Sequence, residues 1–352
     1  MNDPRASETE TILTVDRLDV TYPGRRRHQK VKAVVDVSFA VRKGETFGVI
    51  GESGSGKSTL GRAIVCLVRP SAGRILHFGD DPFQLTRNDL RRHRRAFQIV
   101  FQDPHAALDP RMTILDSVCE PLEVAGIGEP ADRRRKALAM LERVALSEEL
   151  TQRYPHEISG GQKQRANIAR ALVLEPRLIV CDEVVAALDV SIQADMLNLF
   201  ADLQREFGLT YVFISHDLRV VAHISDRVAV MYAGKLVELA PADGLMAAPL
   251  HPYTQALLSA EPEPRVPDGG VSRRIVLKGE IPSPLAPPSG CRFHTRCPIA
   301  AAQCASVEPA WQEFEPGRFV ACHFAGTTVT KGRSATTRNA PDLASNHRDA
   351  VA

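Results

Sequence analysis

Gly51-Glu52-Ser53-Gly54-Ser55-Gly56-Lys57-Ser58 stands between two segments of opposite texture. Before it, Glu45-Thr46-Phe47-Gly48-Val49-Ile50 is a short apolar run with the character of a buried strand; after it, Leu60 to Leu67 carries helical spacing. The octet fits G-x-x-x-x-G-K-[ST] in full, and strand, loop and helix form the context in which that pattern binds phosphate. Glycines let the backbone curl so that successive N–H groups and the helix start point at one anion. Lys57 then places a charge on the β and γ phosphates, and the Ser58 hydroxyl is the expected magnesium ligand. The predicted ATP-binding stretch runs from Gly51 through Thr59.

Working outward, further apolar strands are predicted at Gln98–Phe101, Leu178–Cys181 and Tyr211–Ser215, and helices at Arg133–Leu146 and Ile192–Phe207. This alternation predicts an α/β fold with a mostly parallel sheet, interrupted between about 104 and 158 by a helical insertion. Leu178-Ile179-Val180-Cys181-Asp182-Glu183 ends in two carboxylates. Asp182 is suited to hold magnesium, and Glu183 to orient and deprotonate an attacking water.

Ile158-Ser159-Gly160-Gly161-Gln162-Lys163-Gln164-Arg165 precedes a helical run from Ala166 to Leu174. A serine and two glycines at a helix start make a second anion-binding element. The first loop already takes the phosphates of this chain, so the second site needs a nucleotide from elsewhere.

These residues resemble the ATP-binding cassette ATPases, whose signature reads Leu-Ser-Gly-Gly-Gln or a close variant. The resemblance covers about residues 11 to 325. It implies a RecA-like P-loop NTPase core over 11–240 with the inserted helical subdomain, followed by a small Cys/Pro-rich C-terminal unit over 241–325. It also implies that two cassettes pair head to tail, so that Ser159, Gly160, Gly161 and Gln162 of one close over the ATP of the other. By the same resemblance Tyr22 stacks on adenine, Gln102 lies near the magnesium, and Asp189 contacts the opposite cassette. His216, in Ile214-Ser215-His216-Asp217, contacts the γ-phosphate.

One stretch departs from the family pattern. Members usually read Asp-Glu-Pro-x-Ser-Ala-Leu-Asp, whereas Asp182-Glu183-Val184-Val185-Ala186-Ala187-Leu188-Asp189 stands here. Val184 restores a backbone donor and is expected to loosen the turn, and Ala186 lacks the usual hydroxyl. With Glu183 and His216 both present, hydrolysis is expected to survive.

Phe101-Gln102-Asp103-Pro104, Asp109-Pro110-Arg111-Met112-Thr113, His251-Pro252-Tyr253-Thr254-Gln255-Ala256-Leu257-Leu258 and Gly290-Cys291-Arg292-Phe293-His294-Thr295-Arg296-Cys297-Pro298 narrow the resemblance. They are similar to the ATP-binding subunits of dipeptide and oligopeptide importers and their nickel-transporting relatives. The implied partners are a second cassette subunit, two membrane-spanning permeases and an external solute-binding protein. The implied place is the cytoplasmic face of the inner membrane, held there peripherally. A soluble cassette ATPase and a regulatory cassette with weak turnover are the competing readings.

Past Ala240 prolines crowd together, and the density of fixed φ angles and missing donors predicts an appended unit rather than more of the sheet. Cys291, Cys297, Cys304 and Cys322 follow as C-x5-C-x6-C-x17-C, a spacing looser than zinc knuckles. Four thiolates are able to hold a [4Fe-4S] cluster, as the resemblance implies for some members; free thiols and zinc are the alternatives. From 326 to 352 the chain is polar and aperiodic and is expected to be disordered.

Composition excludes other classes. The 44 basic residues nearly cancel the 42 acidic ones, so no overall field points to nucleic acid. Arg25–Arg27, Arg91–Arg95 and Arg133–Lys136 read as solvated faces. The N-terminus has no apolar run of the signal type, and no window reaches the ~18 to 20 apolar residues of a membrane span. Membrane attachment is therefore expected through partners, with the seven thiols reduced in the cytosol.

Overall fold

The computed structural model describes residues 10–24, 29–186, 188–260 and 274–329. The chain opens with β1 (Thr11–Pro23) and β2 (Lys30–Arg42), an antiparallel pair to which β4 (Ala72–His77) adds on the other edge of β1. Along these strands Val15, Leu18, Val20, Val34, Val37 and Val41 turn inward and are fully buried, alternating with more exposed neighbours.

The main sheet is built from β3 (Thr46–Ile50), β5 (Phe97–Val100), β6 (Leu178–Asp182), β7 (Thr210–Ser215), β8 (Arg227–Tyr232), β9 (Lys235–Pro241), β10 (Gln312–Glu315) and β11 (Arg318–Val320). Its order is β10-β11-β9-β8-β3-β7-β6-β5, parallel from β8 to β5 and antiparallel beyond. Every residue of β3, β6 and β7 is buried, as a strand covered on both faces requires. Period two then divides them. Val180, Val212 and Ile214 join the core beneath the β1–β2–β4 sheet, while Ile179, Cys181, Tyr211 and Phe213 join the core beneath the helices.

The helices are α1 (Lys57–Ile64), α2 (Arg87–His93), α3 (Pro104–Ala107), α4 (Ile114–Ala125), α5 (Pro130–Arg143), α6 (Glu148–Thr151), α7 (Gly160–Leu172), α8 (Val190–Phe207), α9 (Leu218–Ile224), α10 (Ala242–Ala247), α11 (Pro252–Ala260) and α12 (Ala302–Ser306). Five of them, α3 to α7, lie between β5 and β6, where the sequence predicts a helical insertion. Thr113 starts α4 by accepting the Asp116 N–H, and Gly126 ends it at φ 65°.

Two expectations are corrected here. The Arg91–Arg95 run is not simply a solvated face: Arg91 and Arg95 each donate at 2.5 Å to the carbonyls of Val124 and Ala125, the last residues of α4, and Arg94 donates to Cys66 O at 2.9 Å. Cations thereby satisfy the orphan carbonyls of a helix end. Nor does the sheet stop before the proline-rich segment. The β10–β11 hairpin pairs on β9 through Phe319 opposite Leu239 and Val320 opposite Glu238. Prolines here start elements instead of breaking them, Pro241 as the N-cap of α10 and Pro252 as the first residue of α11, where a missing N–H costs nothing. The expected disorder of 326–352 lies almost wholly outside the described residues, and no described helix is long and apolar enough to cross a membrane.

Candidate nucleotide site

The loop after β3 has the glycines its path demands. A Cβ on Gly51 would stand 2.2 Å from Met231 O, and one on Gly56, at φ 105°, would stand 2.2 Å from Ala33 O. Only glycine lets this loop thread between β2 and β8. Ser55 closes it, its N–H donating to Glu52 O at 3.1 Å and its carbonyl accepting from Gly234 N at 2.8 Å. Lys57 is buried and folded back, its Nζ donating to Gly51 O at 2.7 Å and Glu52 O at 3.1 Å. Burial lowers its pKa, and the charges of Glu183, Asp182 and Glu52 act in the opposite sense.

Ser58 and Asp182 meet directly. The Ser58 hydroxyl donates to Asp182 Oδ1 at 3.0 Å, across 124 residues of chain. Burial raises the Asp182 pKa; the Ser58 hydrogen bond opposes that shift, and the neighbouring Glu183 charge adds to it. Two oxygen donors at this separation suit a hard cation such as magnesium. Glu183 follows at φ 52°, in the left-handed region, with its N–H donating to Ile214 O at 2.9 Å. Its carboxylate faces His216 Nδ1 at 3.5 Å, the histidine side chain being 55% exposed and the glutamate 16%. The C-terminal ends of three neighbouring strands, β3, β7 and β6, thus gather Lys57, Ser58, Asp182, Glu183 and His216, which is where parallel sheets place ligand sites.

With Val184 in the proline's place the turn after Glu183 is closed by backbone hydrogen bonds. Ala186 N donates to Glu183 O and Leu188 N to Val185 O, each at 3.2 Å, and both valine side chains are buried in the core under the helices.

Other predicted residues stand apart from this centre. Tyr22 is half-buried near the end of β1, opposite Val31, and Gln102 is exposed in the bend after β5; neither is hydrogen-bonded to the phosphate loop among the described residues. Ser159 caps α7 reciprocally: its hydroxyl accepts from Gln162 N at 3.3 Å, and its N–H donates to Gln162 Oε1 at 2.9 Å. Ser159 and Gly160 are exposed, and Asp189 is exposed at the start of α8 without a side-chain cap bond. No hydrogen bond among the described residues joins this signature to the loop of its own chain.

The iron–sulfur expectation finds no support. No group of three or more His, Cys, Asp or Glu among the described residues has metal-holding geometry. The thiols are free, and burial pushes Cys297 up to about 11 and Cys322 up to about 12, with Cys291 raised as well. Two contacts at the phosphate loop escaped the sequence reading. Arg296 pairs with Glu52, and Tyr253 accepts its N–H, from 244 and 201 residues away, distances at which no local spacing could announce them.

Residues 34–186 match the family model described as ABC transporter, and residues 237–304 match the oligopeptide/dipeptide transporter C-terminal region. The oligopeptide transport ATP-binding protein AppF of Bacillus subtilis is 51% identical over 90% of this chain and 98% of its own length. A putative peptide import ATP-binding protein of Brucella ovis is 51% identical over 89% of this chain and 98% of its own. Among solved structures, the dimeric post-hydrolysis state of the cassette MJ0796 with ADP and phosphate superimposes with a TM-score of 0.60 at 30% identity, covering 66% of this chain and 99% of that one. CbiO1 of Clostridium perfringens, part of a cbiONQ transporter complex, gives 0.61 at 29% identity, covering 68% and 91%. The chain belongs to the ATP-binding cassette transporter family, among the ATP-hydrolysing importer subunits that carry the oligopeptide/dipeptide transporter C-terminal region.

Proposed function

We propose that this chain is the ATPase of a peptide importer, energising uptake of di- or oligopeptides through a membrane permease. The observation that carries the site assignment is the 3.0 Å contact of Ser58 with Asp182, beside the buried Lys57 and the Glu183–His216 pair. In this reading Lys57 leaves its two carbonyl partners for the β and γ phosphates, and the loop N–H groups from Gly51 to Thr59 cradle them. Ser58, Asp182 and Gln102 are the residues that would hold magnesium, which when bound offsets the charge of the phosphates. Glu183 takes the proton of the attacking water, His216 steadies the γ-phosphate side, and Tyr22 supports the adenine.

The signature acts on a partner's ATP. Gly160 supports this: a Cβ placed there meets nothing within 4 Å, so no contact among the described residues requires glycine at a helical position where it costs stability. Close approach of another molecule supplies the reason. A second cassette subunit, two permeases and an external binding protein complete the assembly, which places the chain peripherally at the cytoplasmic membrane face.

The test is ATP turnover in the purified membrane complex. Glu183→Gln is expected to lower the rate by about 10² to 10⁴ while nucleotide binding persists. Equal rates for variant and wild type would show that this chain's own site is silent. Stimulation by a peptide-loaded binding protein checks the solute class; stimulation by a non-peptide solute alone would overturn it.

A further inference from the structure

Glu52, the second residue of the phosphate loop, is held from the far end of the chain. Arg296 donates through Nη1 to Glu52 Oε2 at 2.6 Å and through Nη2 to Oε1 at 3.1 Å, a two-pronged pair whose arginine side chain is 9% exposed and whose glutamate is 24% exposed. The Glu52 N–H donates to the Tyr253 hydroxyl at 2.9 Å. Tyr253 and Phe293 are fully buried against Tyr232, with ring centroids 4.7 to 5.4 Å apart. Arg296 lies 5.8 Å from the centroid of the same Tyr232 ring. Both anchors therefore stand on one packed aromatic block, where α11, the segment 291–298 and the end of β8 meet.

The arrangement has an electrostatic consequence. Glu52 is close enough to act on Lys57. A loose carboxylate there would pair with the amine and repel an incoming triphosphate. Bound at both oxygens by a guanidinium, it is turned away and its charge is offset. We propose that Arg296 and Tyr253 are positioning residues for the phosphate loop, so that the segment between β9 and β10 sets the ATP affinity of its own chain by fixing Glu52. The inference rests on the reading of Gly51 to Ser58 as the ATP site.

The test measures ATP affinity of the full chain, with kcat and KM in the assembled complex. Arg296→Met is expected to raise Kd and KM for ATP about fivefold or more, with kcat within about twofold of wild type. Adding Glu52→Gln is expected to bring affinity back to within about twofold of Glu52→Gln alone, because the charge that needed holding has gone. A double variant as weak as Arg296→Met would mean a merely structural arginine and would overturn the proposal, as would wild-type affinity in Arg296→Met. Should Arg296→Met not fold, Arg296→Lys and Tyr253→Phe take its place; each is expected to raise KM, and unchanged values in both sink the idea. Lys57→Ala separates the two levels of reading. Lost ATP binding there beside an unaffected Arg296→Met removes the clamp alone, whereas retained binding in Lys57→Ala removes the ATP-site reading with it.

Discussion

Asp182 and Glu183 are adjacent residues with divergent surroundings, and the divergence sets what each can do. Asp182 is buried beside a hydroxyl and its carboxyl is pushed above the ordinary range, whereas Glu183 is tilted out of the strand at φ 52° toward His216. A left-handed glutamate costs about 1 to 3 kcal/mol, held here by its N–H bond to Ile214 and the two buried valines that follow. The Asp182 shift gives a pH prediction with a definite sign. A raised pKa means the proton returns at a higher pH than for an ordinary aspartate, so magnesium-dependent ATP affinity should fall early on the acid side. Because the ion competes with that proton, excess magnesium should move the acid limb to lower pH. Profiles of ATP affinity at two magnesium concentrations check this; an acid limb indifferent to magnesium would remove Asp182 from the metal's surroundings. At this scale the sequence was readable wherever chemistry is written in short runs. Lys57, Ser58, Asp182 and Glu183 announce themselves by residue type next to a strand. Arg296 and Tyr253 do not, since their meaning lies in a contact with Glu52 made only by folding.

Helix ends carry much of the logic at the level of elements. The start of α7 satisfies its own donors through the Ser159–Gln162 box, yet leaves Gly160 with open space around it. Gly160→Ala is therefore expected to leave the stability of the isolated chain unchanged or raised by up to about 0.5 kcal/mol, since the first helical position gains less than an interior one, and to lower turnover of the assembled complex. Thermal melting and ATPase assays check the two halves; unchanged turnover would mean that nothing approaches this helix start closely. The end of α4 works by other means, with Arg91 and Arg95 donating to its last carbonyls. Replacing both by alanine should cost about 1 kcal/mol of stability through the uncapped helix end, read as a lower melting temperature, and an unshifted melt would assign these arginines back to solvent. Period and punctuation made the parallel strands legible: the apolar runs read at 45–50, 178–181 and 211–215 are β3, β6 and β7 to within one residue at each end. The β10–β11 hairpin was illegible for a physical reason. Its strands are short and Val320 alone is fully buried, so the sequence gives no apolar pattern, and only pairing with β9 defines them.

Taken whole, the molecule under the proposed reading carries half of a nucleotide site at one place and the complementary half at another. The loop from Gly51 to Ser58 lies at the end of β3, while Ser159 and Gly160 are exposed with no hydrogen bond to that loop among the described residues. Two copies of this geometry, turned head to tail, would bring each signature over the other's loop and bury ATP between them. Nucleotide would then be the glue, because its phosphates supply the charge that both helix starts attract. Hydrolysis removes that bridge, so closure should track the presence of an intact γ-phosphate. A disulfide assay reports it directly. Ser53, exposed at the loop tip, is changed to cysteine in this chain, and the signature serine of the partner cassette is changed likewise. With Glu183→Gln slowing hydrolysis, the crosslink is expected to form with ATP and magnesium and to fall several-fold with ADP or with magnesium removed. Equal crosslinking with and without nucleotide would show that the two surfaces meet for some other reason, and no crosslink under ATP would mean that the signature of this family member serves a different partner surface.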